Sequence, residues 1–315
     1  MNKILIIGSS NTDLIAKMER FPVAGETIEG KYFLQAMGGK GANQALAAHK
    51  LGGDVRFITS LGNDVNGENT LKYYRKAGLD IEASLFVENI PSGTAMIWVD
   101  DDGENCIVIT PGANKELSSE YILEKKNEII SSDIVLLQME IPYQTVKTIC
   151  EIASGAGKKV ILNVAPACKI EEEVLRKVDI LVVNETEAEL ITGTEINKIG
   201  KEGVVNSLLN LGVKSVVLTL GKKGCMMKDQ NQQYAVPAFC VKAVDTTAAG
   251  DTFCGALAAE LGRGYGWEQA LRFASAASAI CVTRLGAQPS IPSEEEVFAF
   301  LQKQEVEKKD NQGDN

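Results

Sequence analysis

At 315 residues, with 45% apolar and 23% charged side chains, the chain has the size and composition of a folded α/β domain, and disorder is not indicated. A formal net charge of −10 argues against nucleic acid as a partner, because holding a phosphate backbone relies on clustered Lys and Arg. No apolar run is long enough to span a membrane and no cleavable signal precedes the run starting at Ile4, so a cytoplasmic protein without membrane contact is expected.

Lys3 to Gly8 is a short, branched apolar run that reads as a strand buried on both faces. It ends in Ser9-Ser10-Asn11-Thr12-Asp13, where ligands gather in an open α/β sheet; Asn11 and Asp13 suit either a polyhydroxylated substrate or simple turn chemistry. Phe21 to Ile28 has no helical period and leads over the surface into a strand through Tyr32. Met37-Gly38-Gly39-Lys40-Gly41-Ala42-Asn43-Gln44 then feeds a helix from Ala45 to Leu51. It lacks the spacing of a Walker A loop, yet its glycines would let the backbone approach a ligand, with Lys40 and Asn43 as polar reach; a ligand-free tight turn is the competing reading.

Val55 to Gly62 reads as a second strand, followed by a helix from Gly67 to Ala77 that stops at Gly78. Thr94 to Val99 and Cys106 to Thr110 flank an acidic turn and predict a hairpin, either at a sheet edge or as part of a lid with residues 14–35. The βα alternation resumes with strands at Ile134 to Met139 and Lys159 to Asn163 around a helix from Thr145 to Ser154, and Glu140 follows the first of them. Ile180 to Val183 ends in Asn184-Glu185-Thr186-Glu187, whose spacing fits a helix capping box or a magnesium–phosphate contact made through water. Ser215 to Leu220 is a further strand, and Gly221-Lys222-Lys223-Gly224 after it suits a hairpin turn or a nucleotide phosphate.

Val244 to Phe253 contains the most telling stretch, Thr246-Thr247-Ala248-Ala249-Gly250-Asp251, which opens a helix with small residues. Unpaired N–H groups there would form an anion site, beside which Asp251 either removes a proton from an alcohol or merely caps the helix. Trp267 to Val282 and Glu294 to Gln302 read as helices, and the polar residues 306–315 as a frayed tail, leaving one domain over 1–305. The lone His49 excludes a His-based triad or multi-His zinc centre, and seven scattered cysteines show no metal-ligand spacing and read as reduced.

Gly38 to Gln44 and Asp245 to Phe253 together resemble the two signatures of the ribokinase family of carbohydrate kinases, and the likeness extends from Ile4 to about Phe300. Gly8 to Asp13, Asn184 to Glu187 and Thr283 to Ser290 point to its ribose-phosphorylating members. The resemblance implies a doubly wound, mostly parallel sheet flanked by helices, with a small β lid from about 14–35 and 93–110 that joins two copies into a homodimer. It implies ATP-dependent transfer to the primary hydroxyl of ribose, giving ribose 5-phosphate and ADP, with Asp251 as base and the amides of Ala248, Ala249 and Gly250 as anion hole.

Asn11, Thr12, Asp13, Gly39, Lys40, Gly41, Ala42, Asn43 and Glu140, with Asp251, then fall on sugar-binding positions. Asn184, the loop Thr219, Leu220, Gly221, Lys222, Lys223 and Gly224, Gly250, Asp251 and Ser275 fall on nucleotide positions, although Ser275 is smaller than the residue often found there. Glu187 falls on a position linked to magnesium. Asp245, Thr247, Cys281, Arg284, Gly286 and Ser290 match a potassium site built mostly from main-chain carbonyls. A kinase for 2-deoxyribose or another furanose is the alternative, and a non-catalytic sugar or nucleotide sensor on the same scaffold is a second; Asn11 favours ribose, whose 2-hydroxyl an amide can bond.

Overall fold

A computed structural model describes the backbone through Gly313 and the side chains through Val306. The branched apolar runs become strands β1 (Lys3–Ile7), β4 (Asp54–Ile58), β9 (Ile134–Leu137), β10 (Lys159–Asn163), β11 (Ile180–Asn184) and β12 (Ser215–Thr219), which pair in parallel. Two antiparallel strands, β13 (Cys225–Asp229) and β14 (Gln233–Val236), complete an eight-stranded sheet in the order β14-β13-β12-β11-β10-β9-β1-β4. Strand β1 lies between β4 and β9, so the chain leaves it in opposite directions across the sheet, and the crevice at that reversal is where such folds bind ligands.

Alternation along the strands sorts the core into two layers. Ile4, Ile6, Phe57 and Leu136 face the helices Lys40–Lys50, Ala249–Gly262 and Trp267–Cys281. Leu5, Ile7, Val135 and Leu137 face the helices Tyr143–Gly155 and Ile196–Asn210. The first layer is rich in alanine, which allows its helices to pack closely on one another.

A separate four-stranded sheet, ordered β3-β2-β7-β8, stands beyond the strand ends. It consists of β2 (Asn11–Lys17), β3 (Tyr32–Gly38), β7 (Gly93–Val99) and β8 (Asn105–Thr110). Asn11, Thr12 and Asp13 therefore open a strand rather than sit in a turn, because their backbone pairs with Gly38, Met37 and Ala36. Tyr32, Phe33, Leu34, Trp98, Ile107, Val108 and Ile109 of this sheet are exposed. A short parallel pair, β5 (Ser60–Gly62) with β6 (Leu85–Val87), splits what reads in the sequence as one strand from Val55 to Gly62.

Two further boundaries move, and one open reading resolves to a turn. The helix expected from Ala45 begins at Lys40, which turns Gly41 to Gln44 from a loop into its first turns. The Gly221 to Gly224 segment is a hairpin turn joining β12 to β13. The last helix, Glu294–Gly313, runs through most of the stretch expected to fray, while Asp314 and Asn315 lie outside the described residues. All seven cysteines are free, and no helix among the described residues is long and apolar enough to cross a membrane.

Candidate functional site

The helix Ala249–Gly262 starts from Ala248, held at φ 60°, a left-handed conformation that costs a residue with a side chain roughly 1–2 kcal/mol. That strained turn aims main-chain nitrogens outward. The N–H groups of Ala248, Gly250 and Asp251 have no partner among the described residues, while that of Ala249 is drawn onto the Thr246 carbonyl at 3.2 Å. Asp251 does not cap the helix: the N-cap is Ala248, and no side chain closes it. Its buried carboxylate instead crosses to the helix Lys40–Lys50, where Asn43 Nδ2 donates to Oδ2 at 2.9 Å and Gln44 Nε2 to Oδ1 at 3.0 Å. The helix register that replaced the expected loop is what brings Asn43 and Gln44 to this face.

Around Asp251 the other polar residues are locked from behind. Asn114 Nδ2 donates to Asn11 Oδ1 at 2.8 Å, leaving the Asn11 amide nitrogen to donate elsewhere. Glu140 Oε2 accepts from Ser9 Oγ at 2.5 Å and from the Lys40 main-chain N–H at 2.9 Å. Asp13 packs under Gly38, where a Cβ would lie 2.1 Å from its carboxylate, and Gly39 turns the chain into the helix at φ 90°. Burial, then the nearby carboxylates of Glu140 and Asp251, raise the Asp13 carboxyl to about 7. Burial opposes the charge on Lys40, but Asp251, Glu140 and Glu187 outweigh it and hold the ammonium more firmly than usual. Gly41 and Ala42 are buried beneath them and contribute backbone. Asn43 Oδ1 and Thr12 Oγ1 are buried and have no partner among the described residues, an arrangement that suits a ligand bringing its own hydroxyl groups. A cleft of about 460 Å³ opens onto Ser9, Asn11, Asn114, Met139 and Glu140.

On the far side of Asp251 the strand ends β11 and β12 set Asn184 opposite Thr219. Asn184 and Glu187 do form the capping box, with reciprocal bonds of 2.8 Å, which leaves Oε1 of Glu187 uncommitted. Burial raises the Glu187 carboxyl; Lys40 pulls it down and Asp251 pushes it up, so it shares the same field. Leu220 N–H bonds the Gly224 carbonyl at 2.8 Å across the turn, Lys222 points to solvent, and Lys223 lies 3.7 Å from Glu185. Ser275 is buried against Cys225, with 3.6 Å between Oγ and Sγ.

The remaining predicted set closes behind the helix start. Asp245 accepts from Thr247 N–H and from Gly286 N–H, each at 2.9 Å, tying the two loops together. Cys281 Sγ lies 3.0 Å from Ser290 Oγ, and the Arg284 guanidinium pairs with Glu296. No three His, Cys, Asp or Glu residues gather in metal-binding fashion among the described residues.

Sequence reading missed five residues of this site: Ser9, Gln44, Asn114, Gln138 and Asn163. Gln138 and Asn163 carry a signal, being polar residues at the ends of otherwise apolar strands, and Gln44 follows the glycines directly. Asn114 carries none, since a tertiary contact alone places it.

Residues 1–294 match the pfkB family of carbohydrate kinases. A ribokinase of Haemophilus influenzae is 39% identical over 304 residues, covering 96% of this chain and 99% of that protein. A deoxyribokinase of Salmonella typhi is 36% identical, covering 95% of this chain and 98% of its own length. The solved structure of Arabidopsis thaliana ribokinase complexed with ribose and ATP superposes with a TM-score of 0.88 at 34% identity, over 95% of this chain and 98% of that one. With that likeness along almost its whole length, and an acid set beside unpaired amides in the crevice of the sheet, the chain belongs to the pfkB family of carbohydrate kinases, phosphotransferases with an alcohol group as acceptor.

Proposed function

We propose that the chain phosphorylates the primary hydroxyl of D-ribose with ATP, giving ribose 5-phosphate and ADP. The observation that carries this reading is the Asp251 carboxylate, held by Asn43 and Gln44 beside the unpaired N–H groups of Ala248, Gly250 and Asp251. Asn11, Asp13, Lys40, Asn43 and Glu140 orient the sugar. As the hydroxyl oxygen bonds to the γ-phosphorus, its proton passes to Asp251, and the bond to the β,γ-bridging oxygen breaks to release ADP. The amides hold the equatorial oxygens, with Gly250 and Ala248 better placed than Ala249, whose N–H faces Thr246. The nucleotide lies over Asn184, the turn Thr219 to Gly224 and Ser275, on the opposite side of Asp251 from the sugar.

Magnesium carried with ATP would neutralise phosphate charge, and the uncommitted Glu187 Oε1 fits a contact to it through water. The loops that Asp245 ties together would hold potassium through main-chain carbonyls, adding positive charge behind the amides; exchanging potassium for a large organic cation should then lower the rate. The exposed apolar face of the β3-β2-β7-β8 sheet supports a lid that also pairs two copies of the chain. Seven free cysteines suit a reducing, cytoplasmic compartment.

The Salmonella typhi relative makes 2-deoxyribose the sugar to exclude. ADP release measured with ribose, 2-deoxyribose, adenosine and fructose 6-phosphate decides: the reading requires the highest kcat/KM with ribose. Preference for deoxyribose would move the assignment within the family, and ATP binding without turnover on any sugar would remove it.

A further inference from the structure

The Asp251 carboxylate is not held by the sugar site alone. Gln44, fully buried, donates one Nε2 hydrogen to Asp251 Oδ1 and the other to Asn163 Oδ1, both at 3.0 Å. Its Oε1 accepts from Gln138 Nε2 at 2.7 Å. Asn163 in turn donates from Nδ2 to the Val182 carbonyl at 3.2 Å.

The direction of this chain is forced. A main-chain carbonyl can only accept, so Asn163 presents its amide nitrogen to Val182 and its oxygen to Gln44. Gln44 must then turn its nitrogen towards Asn163 and Asp251, and its oxygen towards Gln138. The two helices meet closely at Gly255, where a Cβ would lie 2.6 Å from the Gln44 carbonyl oxygen.

We infer that Gln44 is a positioning residue for phosphoryl transfer. Its amide, polarised by the Val182 carbonyl through Asn163 and clamped by Gln138, holds Asp251 Oδ1 as a fixed acceptor. The proton from the alcohol is thereby directed to Oδ2, the oxygen shared with Asn43 on the sugar side. Gln44 touches no reacting atom, so its contribution lies in the orientation of the carboxylate, where displacement of about 1 Å can cost on the order of 10²-fold in rate. The inference rests on Asp251 being the base.

The test is steady-state kinetics of Gln44→Leu and Gln138→Leu in the full chain, with thermal melting of each and Asp251→Asn alongside. Gln44→Leu is expected to lower kcat about 10- to 100-fold while KM for ribose and ATP stays within about threefold. Gln138→Leu keeps the donor but loosens it, and a smaller fall of about 3- to 10-fold is expected. A normal kcat in a folded Gln44→Leu protein overturns the inference, as does a raised KM for ribose at unchanged kcat, which would make Gln44 part of the sugar pocket. Should Gln44→Leu not fold, Gln138→Leu decides, and an unchanged kcat there removes the clamp. A normal rate in Asp251→Asn is a different failure, since it discards the base itself.

Discussion

The two sides of Asp251 are built differently. On the side proposed for the sugar, Asn11, Asp13, Asn43 and Glu140 are buried or half-buried, and each side chain except that of Asp13 is tied to a neighbour by a hydrogen bond. On the side proposed for the nucleotide, Ser275 is buried and Asn184 is bonded to Glu187 in the capping box, but Gly221, Lys222, Lys223 and Gly250 are exposed and offer main chain or solvent-facing lysine. Specificity for a small polyol needs fixed directions, because a missing hydroxyl is penalised only when the group meant for it cannot find another partner. A nucleotide, with far more surface, can be held by backbone and a few charges. Removing a side chain should therefore hurt on the side proposed for the sugar and matter little at the exposed turn.

The largest effect is expected where the two sides meet. Asp251→Asn removes the proposed proton acceptor but keeps the shape and should lower kcat by about 10²–10⁴, with both substrates still binding. Isothermal titration beside turnover separates the two, and a near-normal rate would show the wrong residue has been assigned. Next comes Asn114→Leu, which leaves Asn11 free to rotate and should lower kcat/KM for ribose about 10-fold. If Asn11 addresses the 2-hydroxyl, the loss with 2-deoxyribose will be smaller; an equal loss on both sugars would place Asn11 elsewhere on the ring.

Asp13 sharpens the same contrast through pH. Its carboxyl in the free site sits at about 7, raised by burial and by Glu140 and Asp251, so it is mostly neutral below that pH and ionised above it. An ionised carboxylate accepts from sugar hydroxyls with both oxygens, a neutral one less well. kcat/KM for ribose should then fall as pH drops through 7, approaching about tenfold per unit, because this ratio reports the free enzyme. Saturating ribose should stabilise the ionised form and flatten kcat over the same range. Asp13→Asn should abolish the inflection near 7; its survival in that variant would assign it to another group.

The sheet and its alternation with helices were legible because β-branched runs of four to six residues mark buried strands wherever they fall, as at Ile134 and Ile180. Asp251 stands out in the sequence because small residues and glycine around an acid at a helix start are a local pattern, and the structure does set it beside the unpaired amides. The backing was not legible. Asn114 reaches Asn11 across 103 residues, and Asn163 reaches Gln44 across 119, and no periodicity encodes such pairings. The helix start at Lys40 was misplaced for a physical reason: two glycines at positions 39 and 41 argue locally for a loop, yet packing of the alanine face overrides that weak propensity. Gln138, directly after β9, and Asn163, the last residue of β10, are polar residues closing apolar runs, the one local mark these backing residues leave in the sequence.

The smallest effect belongs to Lys222, and it is the strictest test of the contrast. This lysine is exposed and makes no ion pair among the described residues, whereas Lys223 has Glu185 at 3.7 Å. A mobile ammonium in water attracts a polyphosphate only through a screened field, worth about 1 kcal/mol or less. Lys222→Ala should raise KM for ATP about threefold at low ionic strength, leave kcat unchanged, and lose its effect as salt approaches 1 M, where the screening length falls to about 3 Å. A tenfold rise that persists at high salt would mean that the lysine docks into a dehydrated contact once ATP arrives. The nucleotide side would then be as demanding as the sugar side, its order assembled by the substrate instead of being present beforehand.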